Sequence, residues 1–309
     1  MIGCVSGTLV INQLTSIQSY LSGIFHQTGS VIGYVQGMSS NFLNILIQME
    51  LDNNQGYYTG ALTGFLYSEL QTVHNIKIQQ TVITGKVQAG LIACQLKKIY
   101  LSQLIIMSSQ VNTFSSTDPQ SFSFSGSITG QTSDEVSIFQ CYIQNITITS
   151  QSFTSKWAIS GGLIGDTHEF ATSIKSVKII SADIQAFGSA TNTISSGGLI
   201  AFLYDSNISI SDIQVMDSNL TAFNNNSVIQ CAGFLASLNN NNNISIQNSS
   251  ITTVRVSGAG SNSYLGIVLS ISANYSFSFS NVSITGTNSI NGAVIANCPN
   301  VIAPSINGC

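Results

Sequence analysis

Apolar and polar residues alternate with a period of two over long stretches of this chain. In NISISDIQV, Ile208, Ile210, Ile213 and Val215 fall on one side, and Ser209 and Ser211 on the other. The same alternation runs through SIKSVKIISADIQAF (Ser173 to Phe187), NISIQNSSITTVRV (Asn243 to Val256) and YSFSFSNVSITG (Tyr275 to Gly286). Two-residue alternation is the mark of a strand with one buried face. Apolar spacing at i, i+3, i+4 and i+7 is not sustained over a helix length anywhere after residue 110. Asn41 to Leu51 and Leu96 to Met107 are richer in apolar residues, but their place in the repeat predicts strands there too.

That repeat is the strongest signal in the sequence. A short block recurs as SVIG (Ser30), ALTG (Ala61), GLIA (Gly90), SITG (Ser127), GLIG (Gly162), GLIA (Gly198) and GFLA (Gly233), with weaker copies at Cys4, Gly266 and Gly292. Successive copies begin 26 to 37 residues apart. A fixed period of this kind identifies a solenoid, in which each repeat buries its apolar face only against its neighbours. Two alternating runs separate one block from the next. The expectation is an all-β fold, a parallel β-helix of about three short strands per coil and roughly nine coils. It would form one domain over residues 1–309. Small residues in the block suit a tight corner where backbones approach closely. A β-sandwich with glycine-rich turns is the alternative, but it has no reason to repeat one block so often.

Composition sharpens this picture. Charged residues are 6% of the chain, against about 25% in ordinary soluble domains. In a stack of coils each outward side chain lies about 4.8 Å from its equivalents. Like charges would repel there, whereas Ser, Thr and Asn hydrogen-bond. Twelve acids against eight bases give a net charge of −4, and Arg255 is the only arginine. A nucleic-acid partner is therefore not expected, since phosphate tracking needs clustered Lys and Arg. A mean hydropathy of +0.30 argues against charge-driven disorder. No run of 18 apolar residues is present, so no membrane-spanning helix is expected. The first residues, MIGCVSGTLVINQLTS, lack the basic and apolar regions of a secretory leader.

The blocks SGGLIGD (Ser160 to Asp166) and SGGLIAF (Ser196 to Phe202), at this period, resemble the GLUG-type repeats of bacterial and protist surface proteins. The resemblance is sharpest from Ile159 to Leu238 and weaker before Gly90. It implies a right-handed parallel β-solenoid in an extracellular adhesin or surface protein. It carries over no catalytic residue, because the motif is structural.

Candidate chemistry is sparse. Asn-x-Ser/Thr triplets occur at Asn145, Asn207, Asn219, Asn225, Asn243, Asn248, Asn274 and Asn281, each an N-glycosylation acceptor if the chain enters a secretory pathway. Asn207, Asn243 and Asn274 each open a second strand of the repeat. The cysteines are Cys4, Cys94, Cys141, Cys231, Cys298 and Cys309, with no zinc spacing. Cys298 and Cys309 are the nearest pair and the disulfide candidates. Cys4, Cys94 and Cys231 lie in or beside the glycine corner, where a thiol equally serves as a small buried apolar group. Asp166, His168 and Glu169 are the only acid–base cluster, and they read as a solvated turn. His26 and His74 stand alone. Trp157 and Tyr264 precede glycine blocks and are expected to cover the corner; an exposed aromatic row there could bind sugar. The asparagine runs at 224–226 and 239–243 read as turns. No metal or cofactor is called for.

The sequence starts inside a repeat and stops soon after another, and neither end shows a cap. Uncapped coils expose strand edges, so the expectation is either a fragment of a longer rod or an end-to-end filament or other homo-oligomer. The resulting expectation is a non-enzymatic structural module of an extracellular or surface protein, glycosylated and acting in assembly or adhesion. One alternative is a pectate-lyase-like enzyme, which would need Asp166, Asp205, Lys175 and Arg255 on one face. Another is an ice-binding solenoid, which would need a regular threonine array around Thr147 and Thr149.

Overall fold

The computed structural model describes residues 2–22, 27–29, 31–52, 57–115, 122–153, 157–168, 171–188, 193–224, 228–239, 242–259, 262–270, 275–285, 288–289 and 293–296. Among these residues every regular element is a strand. Ile2–Ser22 pairs with Ile32–Asp52, which pairs with Thr63–Gln79, then Ile99–Ser115, Val136–Ser152 and Ala171–Gly188. The ladder continues through the broken run Asn207–Ser211, Gln214–Met216 and Asn219–Phe223, then Asn242–Thr252, and ends on Tyr275–Thr285. All these pairings are parallel, giving nine stacked levels and a β-solenoid. No helix among the described residues is long and apolar enough to cross a membrane.

The alternation of the sequence becomes a set of columns. Ile47, Ile78, Ile106, Ile143, Ile179, Val215, Ile251 and Ile284 lie directly above one another. Ile47 to Ile251 in this column are buried, and Ile284 packs against the same core. Burying one such side chain contributes about 1.5–3 kcal/mol. On the outer face Ser137, Ser173, Ser209, Ser245 and Ser278 form a serine column instead. Asn41 to Leu51 is strand, within Ile32–Asp52, and so is Ile99 to Met107, within Ile99–Ser115.

Each central coil has three strands, as in Trp157–Gly161, Ile164–His168 and Ala171–Gly188, but the third is long rather than short. The long strands turn without breaking because single residues adopt the left-handed conformation. Gln13, Asn44, Asn75, Gln103, Gln140, Ser176, Asp212, Asn248 and Asn281 all have φ between 51° and 61° or, at Asn248, 47°. The register aligns them in one column, one residue per level. A second column holds Gln80, Ser108, Asn145, Ser181, Asp217 and Thr253. Asn is the non-glycine residue best suited to this conformation, because its short polar side chain bonds locally. Side-chain amides continue the stacking: Asn44 Nδ2 donates to Asn12 Oδ1 (2.8 Å), Asn75 Nδ2 to Asn44 Oδ1 (2.7 Å) and Asn281 Nδ2 to Asn248 Oδ1 (3.0 Å).

The glycine block makes the sharpest corner. Gly162 N donates to Gly197 O (2.9 Å) and Gly198 N to Ala232 O (3.0 Å), so equivalent corners of three levels are in register. A Cβ at Gly162 would collide with the Gly198 carbonyl, and one at Gly198 with the Gly233 carbonyl. Only glycine permits this backbone approach. Gly162 and Gly198 are therefore neighbours in space although 198 − 162 = 36 residues separate them.

Candidate functional site

The corner positions a site on its outer side. In Trp157–Gly161, Ala158 faces the main core while Ile159 and Trp157 join a separate cluster with Phe122, Phe124, Ala201, Phe202 and Tyr204. Residues from the two short strands meet there in a second, smaller apolar cluster. Trp157 lies 4.9 Å from Phe202 and 5.1 Å from Phe122, centroid to centroid. His168 stands 5.4 Å from Tyr204 and 6.3 Å from Phe202. Phe124 and Phe202 form the buried floor; Phe122, Trp157, His168 and Tyr204 form a partly exposed rim. Ring pairs at these separations add about 0.5–1.5 kcal/mol each beyond their burial.

Two columns of the short strands flank this cluster. Tyr58, Gln88, Phe124, Ile159, Ser195, Gln230 and Tyr264 come from the first short strands. Tyr34, Phe65, Gln95, Gln131, Asp166, Phe202 and Ser237 come from the second. Asp166 is thus not in a solvated turn. It is fully buried inside the strand Ile164–His168, because the corner folds its outward face against the neighbouring strand.

A fixed relay of hydrogen bonds runs through these columns. Asp166 Oδ2 accepts from Gln131 Nε2 (2.8 Å) and stands 2.7 Å from His168 Nε2. Since the carboxylate accepts, Gln131 must present its amide nitrogen there, which leaves its carbonyl to accept from Gln88 Nε2 (2.9 Å). Burial pushes the Asp166 pKa up, against the lowering effect of His168, Gln131 and the Thr167 amide. Four buried polar atoms of the two columns have no hydrogen-bond partner: Asp166 Oδ1, Gln88 Oε1, Ser195 Oγ and Gln230 Nε2. Sequence reasoning singled out Asp166, His168 and Trp157, but not Gln88, Gln131, Ser195 or Gln230. Only the register brings those four beside them.

The other candidates fall elsewhere. Asn145, Asn207, Asn219, Asn243, Asn248 and Asn281 are all exposed; Asn225 and Asn274 lie outside the described residues. Asn243 Nδ2 donates to Asn207 Oδ1 (2.9 Å), so these two sequons stack. Cys94, Cys141 and Cys231 are buried free thiols and Cys4 an exposed one, while Cys298 and Cys309 lie outside the described residues. Burial pushes Cys141 and Cys231 up to about 12 and raises Cys94 as well, so all three stay protonated. His74 Nδ1 bonds Ser102 Oγ (2.8 Å). Asn224 is buried rather than in an open turn, its amide donating to Ala259 O (2.9 Å). His26 and Glu169 are also outside the described residues.

The four residues set out for a pectate-lyase-like enzyme do not converge. Lys175 stacks between Phe139 and Ser211, Arg255 on Asn219, and Asp166 between Gln131 and Phe202, in three different columns. Asp205 follows the strand Ile200–Tyr204 at a left-handed position. Threonine columns are irregular too: Thr147 stacks on Gln110 and Asp183, and Thr149 on Asn112 and Gln185. A groove of about 640 Å³ follows the serine column, lined by Ser137, Ser173, Ser209, Asn207, Asn243 and Glu135 among others. Among the described residues no group of three or more His, Cys, Asp or Glu could hold a metal ion. No protein-family model matches the chain, and no curated protein matches it at a significant level.

Proposed function

We propose that this chain is a non-enzymatic structural module of an extracellular or cell-surface protein or filament, N-glycosylated and acting in assembly or adhesion. The observation that carries this reading is the exposure of all six sequon asparagines within the described residues. They sit on a rod whose core is continuous from level to level and whose outer columns are largely hydroxyl and amide. The GLUG-type resemblance is supported by the position of the GLIG blocks, which occupy stacked corners that only small residues fit. The dispersal of Lys175, Arg255 and Asp166 lends no support to a polysaccharide-cleaving enzyme.

Expression in a secreting eukaryotic host, followed by intact-mass measurement before and after enzymatic deglycosylation, tests the glycoprotein part. Loss of one or more glycan masses is expected; an unchanged mass overturns it. Sedimentation over a concentration series tests assembly, with growing oligomers expected and a persistent monomer against it.

A further inference from the structure

We infer that the groove along the serine column seats an N-linked glycan rooted at Asn207, whose neutral sugars nearest the root lie over Ala171 toward Glu135. This rests on the reading of the chain as a glycoprotein and adds where one glycan lies. The argument starts from the groove of about 640 Å³, which is lined by both Asn207 and Asn243 and by the hydroxyl residues of their sequons, Ser209 and Ser245. Asn145, Asn219, Asn248 and Asn281 are exposed elsewhere and do not line it. A sugar tethered at the wall of a groove meets it at high effective concentration, so weak contacts suffice to hold it there.

Geometry selects Asn207 of the two. Asn243 Nδ2 donates to Asn207 Oδ1 (2.9 Å), so the Asn207 amide turns its own Nδ2 to the opposite side, toward its other column neighbour, Ala171. Ala171 carries no acceptor, and its methyl leaves open the space that asparagine fills on the next two levels. Attachment forms a bond between Asn207 Nδ2 and C1 of the sugar. The bond from C1 to the diphosphate of a lipid-linked oligosaccharide donor breaks, the diphosphate leaves with the electron pair, and the amide gives up one proton. Oδ1 takes no part, so the bond from Asn243 survives. On Asn243 the same attachment would fall on the nitrogen that makes the stacking bond.

The lining suits neutral sugars. Val136, Ile208 and Ile244 turn into the core, so the floor between the outward columns is backbone already paired in the ladder. No lining residue is Lys or Arg, and Glu135 is the only charged one, so an anionic ligand finds no partner. Ser137 and Ser173 both donate and accept and Glu135 accepts, which matches sugar hydroxyl and acetamido groups. Glu135 precedes Val136, the partner of Thr172, and so stands one level beyond Ala171. From Asn207 to Glu135 is therefore two levels, roughly 10 Å along the axis, about the length of a disaccharide. The volume lies within the range of about 300–1,000 Å³ that receives ligands larger than a single sugar.

The full chain is secreted from a eukaryotic host and digested with a peptide N-glycosidase in heavy-oxygen water, folded and denatured in parallel. Each released asparagine becomes a labelled aspartate, which peptide mapping assigns to its site and follows in time. Asn207 is expected to be occupied, and its glycan to leave the folded chain on the order of ten-fold more slowly than the denatured one, the scale of a hydrogen bond or two to the groove. Glycans at Asn145, Asn219, Asn248 or Asn281 should show a smaller difference. Ala171→Phe, at an exposed position, fills the groove and should bring release from folded Asn207 up to the rate at those sites. Circular dichroism checks folding, and Ser173→Phe takes its place should Ala171→Phe not fold. Asn207 bare while other sequons are occupied overturns the inference and leaves the glycoprotein reading standing; no glycan at any site overturns both. Release from folded Asn207 as fast as elsewhere, or slow release that the folded filling variant leaves unchanged, overturns the seating.

Discussion

At the scale of single residues, the chain turns on side chains that tolerate left-handed backbone. Asn145 is one, with φ 51°. A β-branched residue there must bear the left-handed penalty of about 1–2 kcal/mol. Asn145→Val is therefore expected to lower the unfolding free energy by that amount, read as a lower urea midpoint, and Asn145→Gly to hold or raise it. The same columns constrain glycosylation. Asn207 stacks on Asn243 and Asn248 on Asn281, each pair joined through its side-chain amides. Two glycans rooted about 4.8 Å apart would occupy the same space. Intact-protein mass spectrometry should thus show no molecule glycosylated at both members of either pair. Asp166 gives a pH dependence. Its unfolded carboxyl titrates near the ordinary 3.8, and burial raises the folded value. Between the two the folded state holds the extra proton. Its contribution to stability is full below the ordinary value and declines as pH rises through the folded one. Denaturation midpoints across pH should show this decline, and Asp166→Asn should remove it. An identical profile in the variant would place the proton elsewhere.

At the scale of elements, the glycine corner is the feature that admits least change. Gly198→Ala puts a Cβ against the Gly233 carbonyl. Both are backbone in register with further levels, so neither can yield alone. A loss of about 1–3 kcal/mol or more is expected, as for overpacking, read as a lowered melting temperature. An unchanged melt would mean the corners are not in contact. This element was legible in the sequence, because GLIG is contiguous and recurs. The alternating runs were legible too. Even their bends left a trace: Ile210 and Ile213 are three apart rather than two, and the left-handed Asp212 lies between them. The aromatic cluster was not legible. Gln131 is 166 − 131 = 35 residues from Asp166, and nothing local says that it donates to that carboxylate. Asp166 looked like part of a solvated turn because its burial depends on residues distant in sequence, Gln131 and Phe202, which stack on it from the levels on either side.

At the scale of the whole molecule, each level touches only the levels above and below it, so stability is close to a sum over levels and their interfaces. That makes a length prediction possible. Ser209 stacks on Ser245, a step of 245 − 209 = 36 residues. Deleting residues 209–244 joins Ile208 to Ser245 and restores the local sequence Asn-Ile-Ser-Ile. The cut removes one full coil, keeps Asp166, Phe202 and Tyr204, and brings the column at Ile179 onto Ile251 in place of Val215. The shortened chain should keep its β circular dichroism and melt cooperatively, slightly below the parent. Removing only residues 209–226 shifts the register by half a coil. It sets the corner block at Gly233 where Val215 continued the long strand, so that chain should not fold. If both deletions unfold alike, the levels are not interchangeable units and the additive picture fails. If the half-coil deletion folds as well as the full one, the columns do not set the register.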